Sequence, residues 1–137
     1  MITMQHACLL AGRILLGLYF IAPGLTKITN YDGMASYMEL HNVPFIGLLL
    51  PLTIVLQIGL GAALIAGYKG RLSAFILAGL TLVISIAMHH FWDLEAGANQ
   101  AHEMQNFIKN MGIMAGLLMV TGLGTGAYSV DRRNDNT

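Results

Sequence analysis

One cation lies at each end of a single helical face in the first apolar segment of this 137-residue chain. Arg13, Gly17, Phe20, Gly24 and Lys27 follow one another at helical intervals of three and four residues. An ionisable side chain inside an apolar helix usually faces other helices or an aqueous cavity, because exposure to lipid is costly. We therefore expect Arg13 to have a partner in the interior. Lys27 fits an interior partner and a position among lipid head groups equally well.

Amide and ammonium groups occur together at the start of the last apolar segment, where Asn106 and Asn110 lie one turn apart beside Lys109. These side chains can donate hydrogen bonds to a carbonyl or an anionic oxygen of a ligand. Gln57 is a further amide, placed in the middle of an uncharged run. Such a group is expected to bond to another helix. Packing is the ordinary explanation for Gln57, and ligand binding is the alternative.

Four of the five histidines are expected on one side of a membrane, and they are His41, His89, His90 and His102. Neighbouring helical residues point about 100° apart, so His89 and His90 do not easily share one tetrahedral metal site. A metal site would need His41 or His102 with a carboxylate, and the His and Glu spacing of known zinc motifs is lacking. We therefore expect interfacial side chains beside the aromatic anchor Trp92 rather than metal ligands. A histidine next to a quinone would instead exchange protons near neutral pH.

These groups must be held by helices that cross a membrane, since 55% of the residues are hydrophobic and only 10% are charged. A soluble domain of this size needs more polar surface. A helix of about 20 apolar residues crosses the hydrocarbon core of a bilayer. Four spans are predicted, near residues 7–28, 46–68, 71–91 and 105–125. We expect an all-α integral membrane four-helix bundle in a single domain, residues 1–137.

Charge and cysteine content exclude several functional classes. The formal net charge is +0, so the chain lacks the basic excess of a nucleic-acid-binding protein. The single cysteine, Cys8, excludes an intrachain disulfide, a CxxC redox pair and a thiolate zinc site.

A short helix is predicted in the loop between the first two spans. Met34, Tyr37, Met38 and His41 follow the i, i+3, i+4, i+7 spacing of a helical face, and Asp32 can cap the first turn. We expect this helix to lie in the membrane interface. It would serve either as an anchor or as a lid over a lateral opening.

The distribution of Lys and Arg predicts the orientation of the bundle. Four cations flank the middle loop and the end of the last span, and two lie on the other side. The first four are Lys69, Arg71, Arg132 and Arg133, and the other two are Lys27 and Lys109. Because cytoplasmic loops carry the excess of Lys and Arg, both termini are predicted to be cytoplasmic.

Small residues in two spans are candidates for close helix packing. Gly17 and Gly24 occur in the first span, and Gly112 and Gly116 form a GxxxG motif in the last. Glycines let a second helix approach closely, so these positions are predicted to contact another helix.

The chain resembles the DoxX family of small bacterial membrane proteins from about residue 10 to residue 133. The first matching segment contains an Arg, then an apolar run, then a glycine and a lysine. Further matches are a Gly-Tyr-Lys-Gly-Arg turn, a His-Phe exit from the third span, an Asn-Phe-Ile-Lys-Asn segment and the closing segment. These matches lie at residues 13–28, 67–71, 90–91, 106–110 and 124–132.

The resemblance implies a four-helix protein of the bacterial inner membrane. Some members of the family are described as the small membrane subunit of a thiosulfate–quinone oxidoreductase, and others are linked to quinone or thiol stress. The family supplies no agreed catalytic residues to carry over. Many members have an acid where this chain has Gln57, and that departure removes a proton carrier from the second span.

Three functions follow as hypotheses, and whether the protein is an enzyme stays open. The first is a quinone-linked redox accessory in which the ligand meets a set of polar donors, namely Arg13, Lys27, Gln57, His90, Asn106 and Lys109. The chain has no evident flavin, haem or iron–sulfur motif, so electrons would come from a soluble or membrane-bound oxidoreductase partner. The second is a membrane anchor or assembly partner, including a homo-oligomer. The third is a small anion transporter that uses Arg13 and Lys27.

Overall fold

A computed structural model describes the backbone of residues 2–135 and the side chains of residues 3–132. The regular elements of this range are helices: α1 (Ile2–Thr29), α2 (Tyr31–Leu40), α3 (Ile46–Ala66), α4 (Gly70–Met88), α5 (Ala98–Leu123) and α6 (Val130–Asp135), with a 3-10 turn at Phe91–Asp93. Four of them, α1, α3, α4 and α5, are long and apolar enough to cross a membrane. The predicted all-α fold with four such helices is confirmed. Assignment to one domain stays a prediction, and residues 1, 136 and 137 lie outside the described range.

The predicted spans agree with these helices except at the ends. The largest difference is α5, which begins at Ala98 rather than near residue 105. Its extra turns are polar, and the Gln100 side chain donates a hydrogen bond to the carbonyl of Leu94 at 3.0 Å. A prediction from apolar run length misses polar turns of this kind. Conversely, α4 ends at Met88, where the backbone turns into the 3-10 segment.

The helix predicted in the first loop is present as α2. Its N-cap residue is Asn30, which makes no side-chain cap, and Asp32 lies inside the first turn instead of capping it. Met38 of α2 is buried in a cluster with Leu50, Ile54 and Met88. This helix therefore packs on the bundle, whereas its position in the membrane interface stays a prediction.

Helices α1 and α3 cross at glycines. A Cβ added to Gly17 would lie 2.7 Å from the backbone carbonyl oxygen of Gly61 and would also collide with Ile65. Further along α1, a Cβ on Gly24 would lie 2.7 Å from the Ile58 side chain. Gly17 thus allows the backbones of α1 and α3 to approach closely, and Gly24 leaves room for the Ile58 side chain.

The GxxxG motif of α5 is placed differently. In the part of the chain that the structure describes, nothing lies within 4 Å of a Cβ built on Gly112. A Cβ on Gly116 would make an ordinary contact with Leu16 at 3.8 Å. The motif therefore makes no close helix crossing within the described chain.

The bundle consists of two closely packed helix pairs, α1 with α3 and α4 with α5, joined by contacts between α3 and α4. One buried cluster fills the space between the pairs and comprises Phe20, Leu64, Ala74, Leu77, Ala78, Leu117 and Val120. We call the end of the bundle where α1 and α4 finish the cavity end. The opposite end, where α6 follows α5, is called the α6 end.

Candidate functional site

A cavity of about 330 Å³ lies among helices α1 to α5 at the cavity end, and we call it the interhelical cavity. One part of its lining is apolar: Phe20, Pro23, Met34, Met38, Leu50, Ile84 and Met88. The other part carries polar groups: Tyr19, Lys27, Tyr37, Thr53, Gln57, Thr81, His89, Asn106, Lys109 and Asn110. An apolar pocket with a few convergent polar groups is the usual form of a small-molecule site.

Four of the six donors predicted from the sequence line this cavity: Lys27, Gln57, Asn106 and Lys109. They come from α1, α3 and α5, so residues far apart in the chain converge on one space. Arg13 and His90 lie elsewhere. Whether the four residues bind a ligand stays a prediction.

Gln57 is the most unusual group in the lining. It is 5% exposed, and among the described residues its buried Oε1 atom has no hydrogen-bond partner. Leaving a buried acceptor unpaired costs about 1–3 kcal/mol, so buried amides are normally bonded. The described residues contain no hydrogen bond from this amide to another helix, as the packing interpretation would require. A donor group on a ligand in the cavity would satisfy the atom.

Two lysines approach the same space from opposite helices. Lys27 lies near the end of α1, and Lys109 of α5 places its Nζ 5.8 Å from the centre of the Tyr19 ring. The Tyr19 hydroxyl donates a hydrogen bond to Asn110 Oδ1 at 2.9 Å and so connects α1 to α5. Within the described residues neither lysine forms a salt bridge with a carboxylate. Their positive charge is therefore available to an electronegative ligand atom.

A hydrogen-bonded pair connects the cavity to α5. His89 lines the cavity, and its Nδ1 lies 2.6 Å from Glu103 Oε2, with both side chains less than one-fifth exposed. Burial raises the pKa of Tyr37, and the charge and hydrogen bonding of Glu103 raise it further. The phenol therefore keeps its proton.

His90, the histidine chosen from the sequence, lies outside the cavity lining. Its ring centre is 5.6 Å from that of His41 and 6.2 Å from that of Trp92. Helix α4 ends at Met88, so helical periodicity no longer determines where the two following histidines point. His89, its neighbour, lines the cavity.

Arg13 is fully buried, which agrees with the expected partner in the interior. It lies at the α6 end, however, and not beside the interhelical cavity. Its Nη2 donates to the carbonyl of Tyr128 at 2.5 Å, and its Nη1 lies 3.5 Å from the carbonyl of Leu64. Fourteen residues of helix place Arg13 about 21 Å from Lys27 along α1. The two cations therefore do not meet one small anion, and Arg13 instead ties α1 to α3 and to the segment before α6.

Several lining residues were not among the sequence candidates. Met34, Tyr37 and Met38 share the face of α2 that the sequence analysis had interpreted as part of an anchor or a lid, without naming these residues as ligand contacts. Thr81 lies in the middle of α4, and its hydroxyl donates to the carbonyl of Leu77 at 2.7 Å. A threonine that satisfies its hydroxyl within its own helix carries no sequence signal for a ligand site.

Four apolar helices around a cavity lined by both polar and apolar groups define a small multi-pass membrane protein. The DoxX family model matches residues 8–90, which is more than half of the chain. The inner membrane protein YqjF of Escherichia coli (strain K12) is 38% identical over 129 residues, covering 94% of this chain and 93% of that protein. The chain therefore belongs to the DoxX family.

Two further relatives extend this comparison. The inner membrane protein YphA of Escherichia coli (strain K12) is 32% identical over 125 residues, covering 91% of this chain and 89% of that protein. The Surfeit locus protein 4 homolog of Drosophila melanogaster is 28% identical over 123 residues, covering 89% of this chain but only 39% of that protein. Among solved structures there is no significant match.

Proposed function

We propose that this protein is a bacterial inner-membrane protein that holds the headgroup of a quinone or quinol in the interhelical cavity. It would act as an accessory or small membrane subunit of an oxidoreductase, which supplies the electrons. The names of the two Escherichia coli relatives support the location. The unpaired Gln57 amide facing a cavity of ligand size is the observation that carries the proposal.

The chemistry of the lining fits both oxidation states of such a ligand. A carboxamide donates through its nitrogen to a quinone carbonyl and accepts through its oxygen from a quinol hydroxyl. Gln57 can therefore serve the two states without changing its own charge. The cavity, at about 330 Å³, lies at the lower end of the range of about 300–1,000 Å³ for ligand pockets. This size suits a substituted ring whose apolar tail leaves toward the lipid.

The remaining polar groups have separable roles. A bound quinone would itself carry two electrons and two protons. Lys27 and Lys109 would stabilise negative charge on the ring oxygens, because an ammonium group near an oxyanion interacts more strongly in a poorly solvated site. His89 would exchange a proton with the cavity, and Glu103 would hold the resulting imidazolium by its charge.

We also propose that both termini face the cytoplasm, which places the interhelical cavity toward the periplasm. Lys69, Arg71 and Arg132 lie at the α6 end, and this supports the orientation by the excess of positive charge. The side chain of Arg133, the fourth cation of that prediction, lies outside the described residues.

Quinone content of the purified protein tests the proposal. The protein is extracted in a mild detergent, and the lipid-soluble fraction is quantified for quinone by chromatography. Gln57→Leu should reduce the quinone content at least tenfold, because each lost polar contact leaves a ligand oxygen unpaired. Gln105→Leu is the matched control, since Gln105 is exposed and does not line the cavity. Equal quinone content in the two variants, or none in the wild type, would contradict the proposal.

An assembly role is the second candidate, favoured by one observation. Helix α5 presents Gly112, unopposed within the described chain, near Ile108 and Met119, which are 60% and 63% exposed. A partner helix could cover this face. Gly112→Leu should then abolish copurification of a partner and leave the quinone content unchanged, whereas Gln57→Leu should do the reverse.

A further inference from the structure

A second concave surface lies at the α6 end, remote from the interhelical cavity. The starts of α1 and α4, the end of α5 and the segment leading into α6 enclose a space of about 690 Å³, which we call the basic groove. Three cations line it, Lys69, Arg71 and Arg132, with Asp131 as the acidic residue of the lining. The groove therefore has an excess of positive charge.

Asp131 does not neutralise these cations directly. Its Oδ1 accepts a hydrogen bond from the backbone nitrogen of Lys69 at 2.6 Å, and its Oδ2 accepts one from that of Gly70 at 2.8 Å. The carboxylate thus satisfies the first turn of α4, where the positive end of the helix dipole favours it. In the described residues Asp131 makes no salt bridge with a side chain. The cationic side chains remain available to a ligand.

Arg71 is held in place by carbonyl groups rather than by an acid. Its Nη1 donates to the carbonyl of Gly122 at 2.8 Å and lies 3.3 Å from that of Thr121, at the end of α5. Its Nε and Nη2 make no further hydrogen bond within the described residues. A Cβ on Gly124 would lie 3.1 Å from Nη2, so glycine at this position leaves that edge uncovered. Arginine can bind phosphate through two parallel hydrogen bonds from an edge of this kind.

A histidine adds a neutral donor to the groove. His6 lines it, and the Nδ1 of His6 accepts a hydrogen bond from the backbone nitrogen of Ala127 at 3.0 Å. A neutral imidazole that accepts at Nδ1 carries its proton at Nε2. His6 therefore presents a hydrogen-bond donor beside the three cations.

Exposed leucines beside the cations favour a lipid over a free anion as the ligand. Leu72 and Leu123 line the same groove and are 54% and 66% exposed. They belong to the outer surfaces of α4 and α5, where acyl chains would contact a membrane-spanning helix. We propose that the basic groove binds the phosphate of an anionic phospholipid, with its acyl chains along these leucines. Free phosphate would make the same charged contacts, but it has no apolar part that could contact the leucines.

Lipid retention tests this proposal independently of quinone binding. The protein is incubated with phosphatidylglycerol or phosphatidylcholine in detergent, and bound lipid is counted by native mass spectrometry. The wild type should retain phosphatidylglycerol at least fivefold better. The double variant Lys69→Gln with Arg132→Gln should lose that preference, whereas Lys109→Gln, which removes a charge at the opposite end, should keep it.

Three outcomes would overturn the proposal. The first is equal retention of the two lipids by the wild type. The second is an unchanged preference in the double variant, with thermal unfolding in phosphatidylcholine confirming that it is folded. The third is displacement of phosphatidylglycerol by millimolar inorganic phosphate, which would identify a free anion as the ligand. Arg71→Lys separates charge from geometry, because lysine keeps the charge but lacks the two parallel donors.

Discussion

Replacing Gln57 by leucine should stabilise the protein when quinone is absent. Gln57 is 5% exposed and its Oε1 has no partner in the described chain, so the native state carries the cost of an unpaired buried acceptor. That cost is about 1–3 kcal/mol, and leucine, which has a similar volume, removes it. Gln57→Leu should therefore raise the free energy of unfolding by about this amount. An exposed control, Gln105→Leu, should change it by less than about 0.5 kcal/mol.

Addition of quinone should stabilise the wild type more than Gln57→Leu and so offset the difference in stability. A ligand present at about 100 times its dissociation constant stabilises a protein by about 2.7 kcal/mol, and only the wild type should gain this amount. Unfolding by a denaturing detergent or urea, with and without a short-chain quinone, measures both effects. If Gln57→Leu loses more than about 1 kcal/mol in the absence of quinone, the amide is a packing bond between helices and the reasoning fails.

Three further predictions concern helix packing, the α6 end and pH. Gly17→Ala should be about 1–3 kcal/mol less stable than Gly59→Ala in the same unfolding assay, since both gain helix propensity but only the first collides with backbone. Arg13→Met should lower the free energy of unfolding by about 1.5–3 kcal/mol through loss of charged bonds to carbonyls, and quinone content should not change. The pKa of Tyr37 is raised in the folded protein, so its phenol stays neutral until the pH rises through the folded-state pKa. Any stability that the neutral phenol contributes is lost as the pH rises through that folded-state pKa. Glu103→Gln should move the Tyr37 titration to lower pH in ultraviolet difference spectra taken against Tyr37→Phe, and an unmoved titration would contradict the contact.

Most of the fold could be predicted from the sequence because lipid imposes a simple requirement. A segment that crosses a bilayer must be helical and apolar over about 20 residues. This requirement located α3 to within two residues at each end. It could not locate the start of α5, since the residues from Ala98 onward are polar and held by local hydrogen bonds.

The candidate site was predicted only in part, for geometric reasons. Helical periodicity places Arg13 and Lys27 on one face of α1. It does not show which end of α1 lies beside a cavity, and only Lys27 lines the interhelical cavity. Arg13 bonds to Tyr128, 115 positions away, and a backbone carbonyl partner leaves no residue-type signature. His89 and His90 could not be separated because the helix ends immediately before them.

Photolabelling tests the central claim most directly. A quinone analogue with a photoreactive group on its ring is added to the membrane-embedded protein, and labelled peptides are mapped by mass spectrometry. The account predicts labels on cavity residues such as Met34, Tyr37 and Met88, and loss of those labels when unlabelled quinone is added in excess. Labels confined to lipid-facing residues such as Leu15 and Val55, unaffected by that competition, would contradict it.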